Sequence, residues 1–374
     1  MEKLGVGIIG CGNISGAYLR LAPMFKHIEL LAVADLNMDA AQARAEEFGV
    51  SARRIDDLLV SDDIDIIANL TIPDAHFAVT KSILEAGKHA YSEKPLVLSL
   101  DDAKTLRDTA EARRLRVGSA PDTFLGGSHQ QARAIIDAGE VGKIVAGSCH
   151  VMSHGMEDWH PNLDFFFLPG AGPMLDVGPY YVTNLIQLIG PVKRVGALTS
   201  SASATRTITS APRNGEEIPV KTPTNIHALL EFENSATITM STSWDVWAHN
   251  HPNTELYGTK GSIFIPDPNF FGGDLKVTGQ EPDTLDVSPW DHPFGIVNEA
   301  ADNHANYRCA GLADMAAGIL EDRGHRCSLE LAVHAVDVMT SVLKSGETGA
   351  FVEMTTTCER PDPLTPEAAR ALLA

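Results

Sequence analysis

The stretch from Leu4 to Asp35, LGVGIIGCGNISGAYLRLAPMFKHIELLAVAD, leaves this chain few ways to fold. Leu4 to Ile9 is an apolar run that reads as a buried strand. It breaks at Gly10-Cys11-Gly12-Asn13-Ile14-Ser15-Gly16, and Ala17 to Phe25 follows with Tyr18, Leu19, Leu21 and Phe25 at near-helical spacing. A second apolar strand, Ile28 to Ala34, stops at Asp35. Strand, glycine turn, helix, strand and acid is the order a dinucleotide site requires. Gly10 permits the tight turn. Gly12 lets the backbone approach a pyrophosphate, which then sits at the helix N-terminus. Ser15 holds the third fingerprint position, where a small residue still allows close helix–strand packing. Asp35 is placed to accept hydrogen bonds from ribose hydroxyls.

The same rhythm continues to about residue 121. Asn37 to Phe48 reads as a helix closed by Gly49, Ile55 to Val60 as a short helix or turn, and Ile64 to Leu70 as a third strand. Ala75 to Ala86 is a helix, His89 to Ser92 a short strand, Asp101 to Arg114 a helix capped by Ser99, and Leu115 to Ala120 a last strand. Such alternation predicts a parallel, doubly wound sheet, whose ligands bind at the C-terminal strand ends. Gly10 to Asn13, Asp35, Thr71 to Pro73 and Glu93 to Pro95 all fall at such ends.

Past Pro121 the pattern changes. Gly127 to Ala138 reads as a helix. Val141 to His150, Val192 to Ser203, Asn225 to Phe232, Ser235 to Trp244, Asn253 to Tyr257 and Gly261 to Ile265 read as strands. Many strands with few helices predict an antiparallel or mixed sheet. Thr199 to Pro212 reads as strand plus exposed loop, and Pro266 to Pro293 as loop over a poor strand. Helices return at Leu312 to Leu320 and Leu329 to Leu343, and Thr365-Pro366 opens a short terminal one. The expected organisation is therefore a nucleotide domain over residues 1–121, an α+β domain over 122–360 and a tail over 361–374.

A formal net charge of −20 argues against nucleic acid or an anionic membrane as partner. No apolar run is long enough to span a bilayer, and the first apolar segment is already the first strand, with no cleavage site after it. The five cysteines are widely spaced with no CxxC, as expected of reduced thiols in a cytoplasmic protein.

Three groups of residues carry chemistry. In Ser92-Glu93-Lys94-Pro95 a lysine follows a strand directly; it is either a cation beside a reacting hydroxyl or a solvated turn lysine. The segment Gly170 to Ile189, read as one helix, puts Asp176, Tyr180 and Asn184 on one face, suited to binding a hydroxyl and moving its proton; Pro179 marks an irregular first turn. Trp159-His160 and the Trp244 to Trp247 stretch either line a sugar pocket or pack in the core. His150, His154, His160, His249 and His251 lack the spacing of a zinc motif, so no metal is expected. Neither a Gly-x-Ser-x-Gly elbow nor a P-loop is present.

Together these residues resemble the glucose–fructose oxidoreductase/inositol dehydrogenase (Gfo/Idh/MocA) family. The resemblance rests on Gly10-Cys11-Gly12-Asn13-Ile14, Asp35, Thr71-Ile72-Pro73 with His76, Glu93-Lys94-Pro95, Asp176 with Tyr180, and Tyr257 to Gly261. It implies an N-terminal Rossmann domain, a C-terminal α+β domain on a large, open, mostly antiparallel sheet, and a homodimer or homotetramer associated through that sheet. It implies NAD rather than NADP, since Asp35 repels a 2′-phosphate and Leu36-Asn37 supplies no arginine. Lys94, Asp176 and Tyr180 are the catalytic residues it implies. Gly10, Gly12, Asn13, Ile14, Asp35, Thr71, Pro73, His76, Glu93 and Lys94 would hold the cofactor. Asp122, Trp159 and His160 join the catalytic three as expected contacts of a carbohydrate substrate. Inositol dehydrogenase-like members carry histidine where this chain has Tyr180. A phenol, with a reference pKa near ~10, is a poor base unless a cation lowers it, and Lys94 is the cation expected to do so. The expected reaction moves hydride between a sugar or polyol carbinol and nicotinamide. Two other readings stay open: a redox-neutral lyase, glycosidase or epimerase that recycles bound NAD, and a non-catalytic NAD- or sugar-sensing protein.

Overall fold

The computed structural model describes residues 2–160, 162–279, 284–287, 290–298 and 304–374. Its first half is built on β1 (Leu4–Ile9), α1 (Ser15–Leu21), β2 (Ile28–Ala34), α2 (Met38–Phe48), β3 (Ser51–Ala52), α3 (Ile55–Leu59), β4 (Ile66–Asn69), α4 (Pro73–Glu85), β5 (His89–Ser92), α5 (Leu100–Arg113) and β6 (Val117–Ser119). The strands form a six-stranded sheet in the order β3-β2-β1-β4-β5-β6, and every pairing is parallel. The reason is visible strand by strand. Val6, Ile8, Ile66, Ala68 and Tyr91 are buried on one face and Ile9, Ile67 and Ala90 on the other, so helices must cover both faces, and only crossover connections supply them. Helix ends follow the local chemistry: Asn37 caps α2 by accepting from Asp39 N, Ser99 caps α5 by accepting from Asp102 N, and Gly49 closes α2 at φ 70°.

The second half comprises α6 (Gly127–Asp137), β7 (Ile144–Met152), α7 (Pro173–Asp176), α8 (Gly178–Ile189), β8 (Val192–Ser200), β9 (Thr205–Thr207), β10 (Glu217–Pro219), β11 (Asn225–Phe232), β12 (Thr237–Ser243), β13 (Thr254–Gly258), β14 (Ser262–Ile265), β15 (Lys276–Thr278), β16 (Thr284–Asp286), α9 (Ala310–Leu320), α10 (Leu329–Thr348), β17 (Val352–Glu353) and α11 (Pro366–Leu372). A nine-stranded sheet runs β16-β15-β14-β13-β7-β12-β11-β8-β17. Among the described residues only the β12–β7 pair of this sheet is parallel. One face packs on α10, with α7 against β12; the other leaves Leu198, Leu229 and Tyr257 exposed.

Two local expectations change. The stretch Thr199 to Pro212 contributes β9, which pairs with β10 as a separate two-stranded hairpin. The stretch Pro266 to Pro293 contributes two short strands that extend the large sheet, though part of it lies outside the described residues. The end of the chain returns to the first half. Lys26 N donates to Leu372 O (2.9 Å), Ala374 N to Met24 O (2.8 Å) and Ser119 N to Cys327 O (3.1 Å). Helix α10 lies against β8 on one side and against β6 and α5 on the other, so it ties the two sheets together.

Candidate active site

A cavity of about 610 Å³ opens at the C-terminal ends of β1, β2, β4 and β5. Its floor is the Gly10–Ile14 loop with Asp35 and Thr71 to Pro73; its far end is Lys94 with Asp176. Gly10 adopts φ 105°, and a Cβ there would stand 2.6 Å from the Leu70 carbonyl carbon, so no side chain is tolerated. A Cβ on Gly12 would meet nothing within 4 Å, because that glycine faces open space. Ser15, the variant fingerprint position, is buried, and its Oγ donates to Gly12 O at 2.7 Å, which closes the turn. Asp35 Oδ2 accepts from Cys11 N (2.7 Å) and Oδ1 from Asn37 N (2.8 Å). Its carboxylate is thereby held at the cavity edge, with lone pairs left for two further donors.

The loops after β4 and β5 are fastened to each other. His76 Nδ1 lies 2.7 Å from Pro95 O and Nε2 3.0 Å from Thr71 O. Burial pulls the imidazole below the ordinary histidine range, against these two carbonyls and Glu93. His76 lines the cavity, but both ring nitrogens face protein carbonyls, so its part is to set the loops. Glu93 Oε1 accepts from Tyr18 OH at 3.0 Å. Thr71 Oγ1 donates to Asn69 Oδ1 at 2.7 Å.

Lys94 reaches across to the second half. Its Nζ donates to Asp176 O at 2.5 Å and to Asp176 Oδ1 at 2.9 Å, and lies 5.2 Å from the centre of the Tyr180 ring. Burial is the largest influence on this lysine and pulls its pKa down. Asp176, Tyr180 and Glu93 together outweigh it and hold Lys94 above the ordinary lysine value. It is therefore an ammonium ion with one N–H left after Asp176 is satisfied.

The expected single helical face is corrected here. Helix α7 stops at Asp176 and α8 restarts at Gly178-Pro179, with Val177 between them. Pro179 has no N–H to continue the first helix, so the chain begins a new one. Asp176 is consequently the last residue of one helix and Tyr180 lies in the first turn of the next. Asn184 is buried elsewhere, its Oδ1 accepting from Gln187 Nε2 at 3.0 Å. Lys94 Nζ stands over the Tyr180 ring. Arg308 is a second cation beside the phenol: burial pulls its pKa down, but Tyr180, Asp122 and Glu93 together hold it above the ordinary arginine value.

Asp122, Trp159 and His160 do not stand on the cavity wall. Asp122 is 2% exposed, and its Oδ2 accepts from Cys309 N (3.1 Å) and Gly311 N (3.0 Å) at the start of α9. Burial pushes its carboxyl up to about 6, with Gly311 N–H and Arg308 opposing. Trp159 is 64% exposed; His160 packs edge-on against Phe166, at 5.1 Å between ring centres. Phe166 and Phe165 line the wall instead. Sequence reasoning also missed Leu36 and Ile72, exposed apolar side chains at the cavity mouth, and Arg308. It missed Arg44 as well, whose Nη2 donates to Gly12 O at 3.3 Å. Leu36 directly follows Asp35, and Ile72 is the middle residue of the Thr71-Ile72-Pro73 motif, but sequence reasoning assigns neither a contact of its own.

The donor set fits a nicotinamide dinucleotide. Gly12 leaves a cradle that a Cβ would fill, Asp35 offers acceptors for ribose, and Leu36, Ile55, Ile72 and Val79 give an apolar slot beside them.

Comparison with known proteins agrees. Residues 4–120 match the model of the oxidoreductase family with an NAD-binding Rossmann fold, and residues 129–264 match the GFO/IDH/MocA C-terminal domain. A dTDP-3,4-didehydro-2,6-dideoxy-alpha-D-glucose 3-reductase from Streptomyces violaceoruber is 31% identical over 52% of this chain and 57% of its own, so the chain spans little more than half of that relative. D-glucoside 3-dehydrogenase of Escherichia coli is 28% identical over 71% of this chain and 78% of its own. The fold is that of a levoglucosan dehydrogenase solved with NADH and L-sorbose, with a TM-score of 0.81 at 21% identity over 95% of this chain and 99% of that one.

Proposed function

The chain belongs to the GFO/IDH/MocA family of NAD-binding Rossmann-fold oxidoreductases, and we propose that it oxidises a carbinol of a sugar, glycoside or polyol with NAD as hydride acceptor. One observation carries this reading: Lys94, at a strand end of the first sheet, is paired with Asp176 of the second half over the cavity that the glycine loop opens. NAD would supply the hydride acceptor, held by Gly10 to Ile14, Asp35, Thr71 to Pro73 and Glu93. Lys94 donates its remaining N–H to the substrate hydroxyl oxygen and stabilises the negative charge that builds there. Asp176 keeps the lysine aimed. Tyr180, acting as the phenolate, takes the hydroxyl proton and becomes the phenol; its ring lies against Lys94 and its oxygen beside Arg308, so cations stand beside the charge that the base must carry. The stacked Phe165 and Phe166 rings (4.0 Å) form the wall that faces the apolar side of the sugar.

The names of two relatives both place the redox change at sugar carbon 3, and we take that carbon as the reacting one. Asp35 supports NAD over NADP. The exposed Leu198, Leu229, Tyr257 and Phe351 on the open sheet support a homodimer or homotetramer joined through it. Five buried, unpaired cysteines support a reducing, cytoplasmic setting, and the charge of −20 supports a small-molecule rather than a nucleic-acid partner. Among the described residues no helix is long and apolar enough to cross a membrane.

The test is a screen of NAD reduction against free sugars, glycosides, anhydrosugars and polyols, with product analysis. Net NADH formation and a 3-keto product are expected. Conversion without NADH accumulation would replace this reading with redox-neutral chemistry. NAD binding with no conversion of any of them would replace it with sensing.

A further inference from the structure

The wall that faces the sugar is not built on the main core. Met156, Leu163, Phe167, Ile208, Ile218 and Trp244 form a second, separate core, with Phe166 packed against it. Three chain segments meet there: the stretch before α7, the β9–β10 hairpin, and the end of β12. Backbone bonds stitch them: Lys221 N to Phe167 O (2.8 Å), Thr209 N to Glu157 O (2.9 Å) and Trp244 N to Thr224 O (2.8 Å).

Arg206, on β9, joins all three. Its Nη1 donates to Glu157 Oε1 at 3.0 Å and its Nη2 to Trp244 O at 3.1 Å; it also pairs with Asp245. Its guanidinium carbon lies 5.6 Å from the centre of the Phe167 ring. Side chains of Arg206 and Glu157 are each 9% exposed. Two carboxylates share one guanidinium, and Arg206 Nε and Glu157 Oε2 are buried with no hydrogen-bond partner among the described residues. Such a group is a poor device for stability, since desolvation opposes the pairing and spare polar atoms are costly. It is a good device for register, because a planar fork fixes direction as well as distance. Phe167 is the residue it grips, and Phe165 and Phe166, the two before it in the same turn, line the cavity.

We propose that Arg206 is a positioning residue for the carbohydrate: gripping Glu157, Asp245 and the Phe167 ring, it sets the register of Phe165 and Phe166 on the substrate side. This rests on the carbohydrate reading above. It makes the hairpin, remote in sequence from every motif, a determinant of sugar affinity and not of NAD affinity.

The experiment compares Arg206→Lys, Phe166→Ala and the double variant, with Glu157→Gln as a second way to loosen the fork should Arg206→Lys fail to fold. Methyl β-D-glucoside and levoglucosan are the probes, at saturating NAD. Arg206→Lys raises KM for the oxidised sugar about tenfold, with kcat and the NAD Kd within about twofold of wild type. Glu157→Gln moves KM in the same direction by less. The double variant is no worse than Phe166→Ala alone, because both act through one wall. Hydrogen exchange, which needs no substrate, accelerates at residues 162–172 and 205–219 and stays unchanged in the first half. An unchanged KM, additive effects in the double variant, or an NAD Kd that rises in step with KM overturns the proposal. If neither sugar is oxidised, that failure counts against the carbohydrate reading, and the exchange data alone decide: unaltered exchange at Phe165 to Phe167 overturns the role of Arg206.

Discussion

The two ends of the cavity are made differently. The cofactor end is backbone: the Gly10–Ile14 turn, an aspartate whose two oxygens are held by amide N–H groups, and loops at strand ends. Its glycine turn and its aspartate are specified within Leu4 to Asp35, and the loops after β4 and β5 complete it. The substrate end is side chain: Lys94 from one sheet, Asp176 and Tyr180 from two separate helices, Phe165 and Phe166 from a turn, and Arg308 from the segment before α9. A backbone site tolerates change outside its glycines. A side-chain site assembled from distant segments concentrates its function in single groups, and those are where the contrast breaks first.

The largest effect is expected at Lys94. Replacing it with alanine removes the ammonium that the proposed mechanism sets beside the reacting hydroxyl, so turnover is expected to fall about 10³-fold or more. The NAD Kd, measured by titration, stays within about twofold, because the backbone cradle is intact. Equal losses in turnover and NAD affinity would show that the two ends are one unit, and retained turnover would remove Lys94 from the mechanism.

Asp176 sharpens the same contrast. It is the leading influence that raises Lys94 against the downward pull of burial. The ammonium is the form present below the pKa, so in wild type the lysine sets no alkaline limit at its ordinary value. Asp176→Asn leaves burial less opposed, and Lys94 then loses its proton at lower pH. The alkaline limb of the kcat/KM profile moves down by about one unit or more, and the maximum falls about tenfold to a hundredfold. An alkaline limb that stays in place would mean that Lys94 is not the group being titrated.

These contrasts also explain what the sequence made legible. The strand–turn–helix–strand unit, the parallel sheet, Asn225–Phe232 and the caps Ser99 and Thr365 follow from local chemistry, and the structure contains them. Lys94 was legible because it abuts a strand end. The break at Val177 was not, since helical spacing is satisfied on either side of it and only Pro179 signals a restart. Arg308 and Arg206 carry no motif; long-range pairing alone gives them a role. Arg44 lies on α2, beyond the residues that directly follow Asp35, and only the fold brings it to the Gly12 carbonyl.

Asp122 probes the boundary between the ends. The sequence points to a substrate contact, whereas its carboxylate accepts from the Cys309 and Gly311 amides at the start of α9. Its carboxyl is pushed up to about 6 from 3.8 by burial. Between these values the folded protein holds a proton that the unfolded chain has released, so stability contributed below pH 3.8 is lost as pH rises through about 6. Asp122→Asn keeps an acceptor and has no such loss. Urea unfolding should therefore show wild type losing about 3 kcal/mol relative to the variant between acid pH and pH 7. A constant difference across that range would place the carboxylate in solvent or substrate contact after all.

The smallest effect expected is at Asp35. Because the cofactor end is mostly backbone, one side chain there should change preference more than affinity. Asp35→Ser removes the two acceptors offered to ribose and the repulsion toward a 2′-phosphate, while the Cys11 and Asn37 amides lose their carboxylate partner. NAD binding should weaken about tenfold, and NADP binding should strengthen, because Arg44 then stands near Gly12 with the local negative charge reduced. Fluorescence titration with both reduced cofactors checks it. If NADP binds no better in the variant, Arg44 is fully engaged by Glu47, with which it pairs at 2.7 Å, and Asp35 selects NAD by its hydrogen bonds and not by charge.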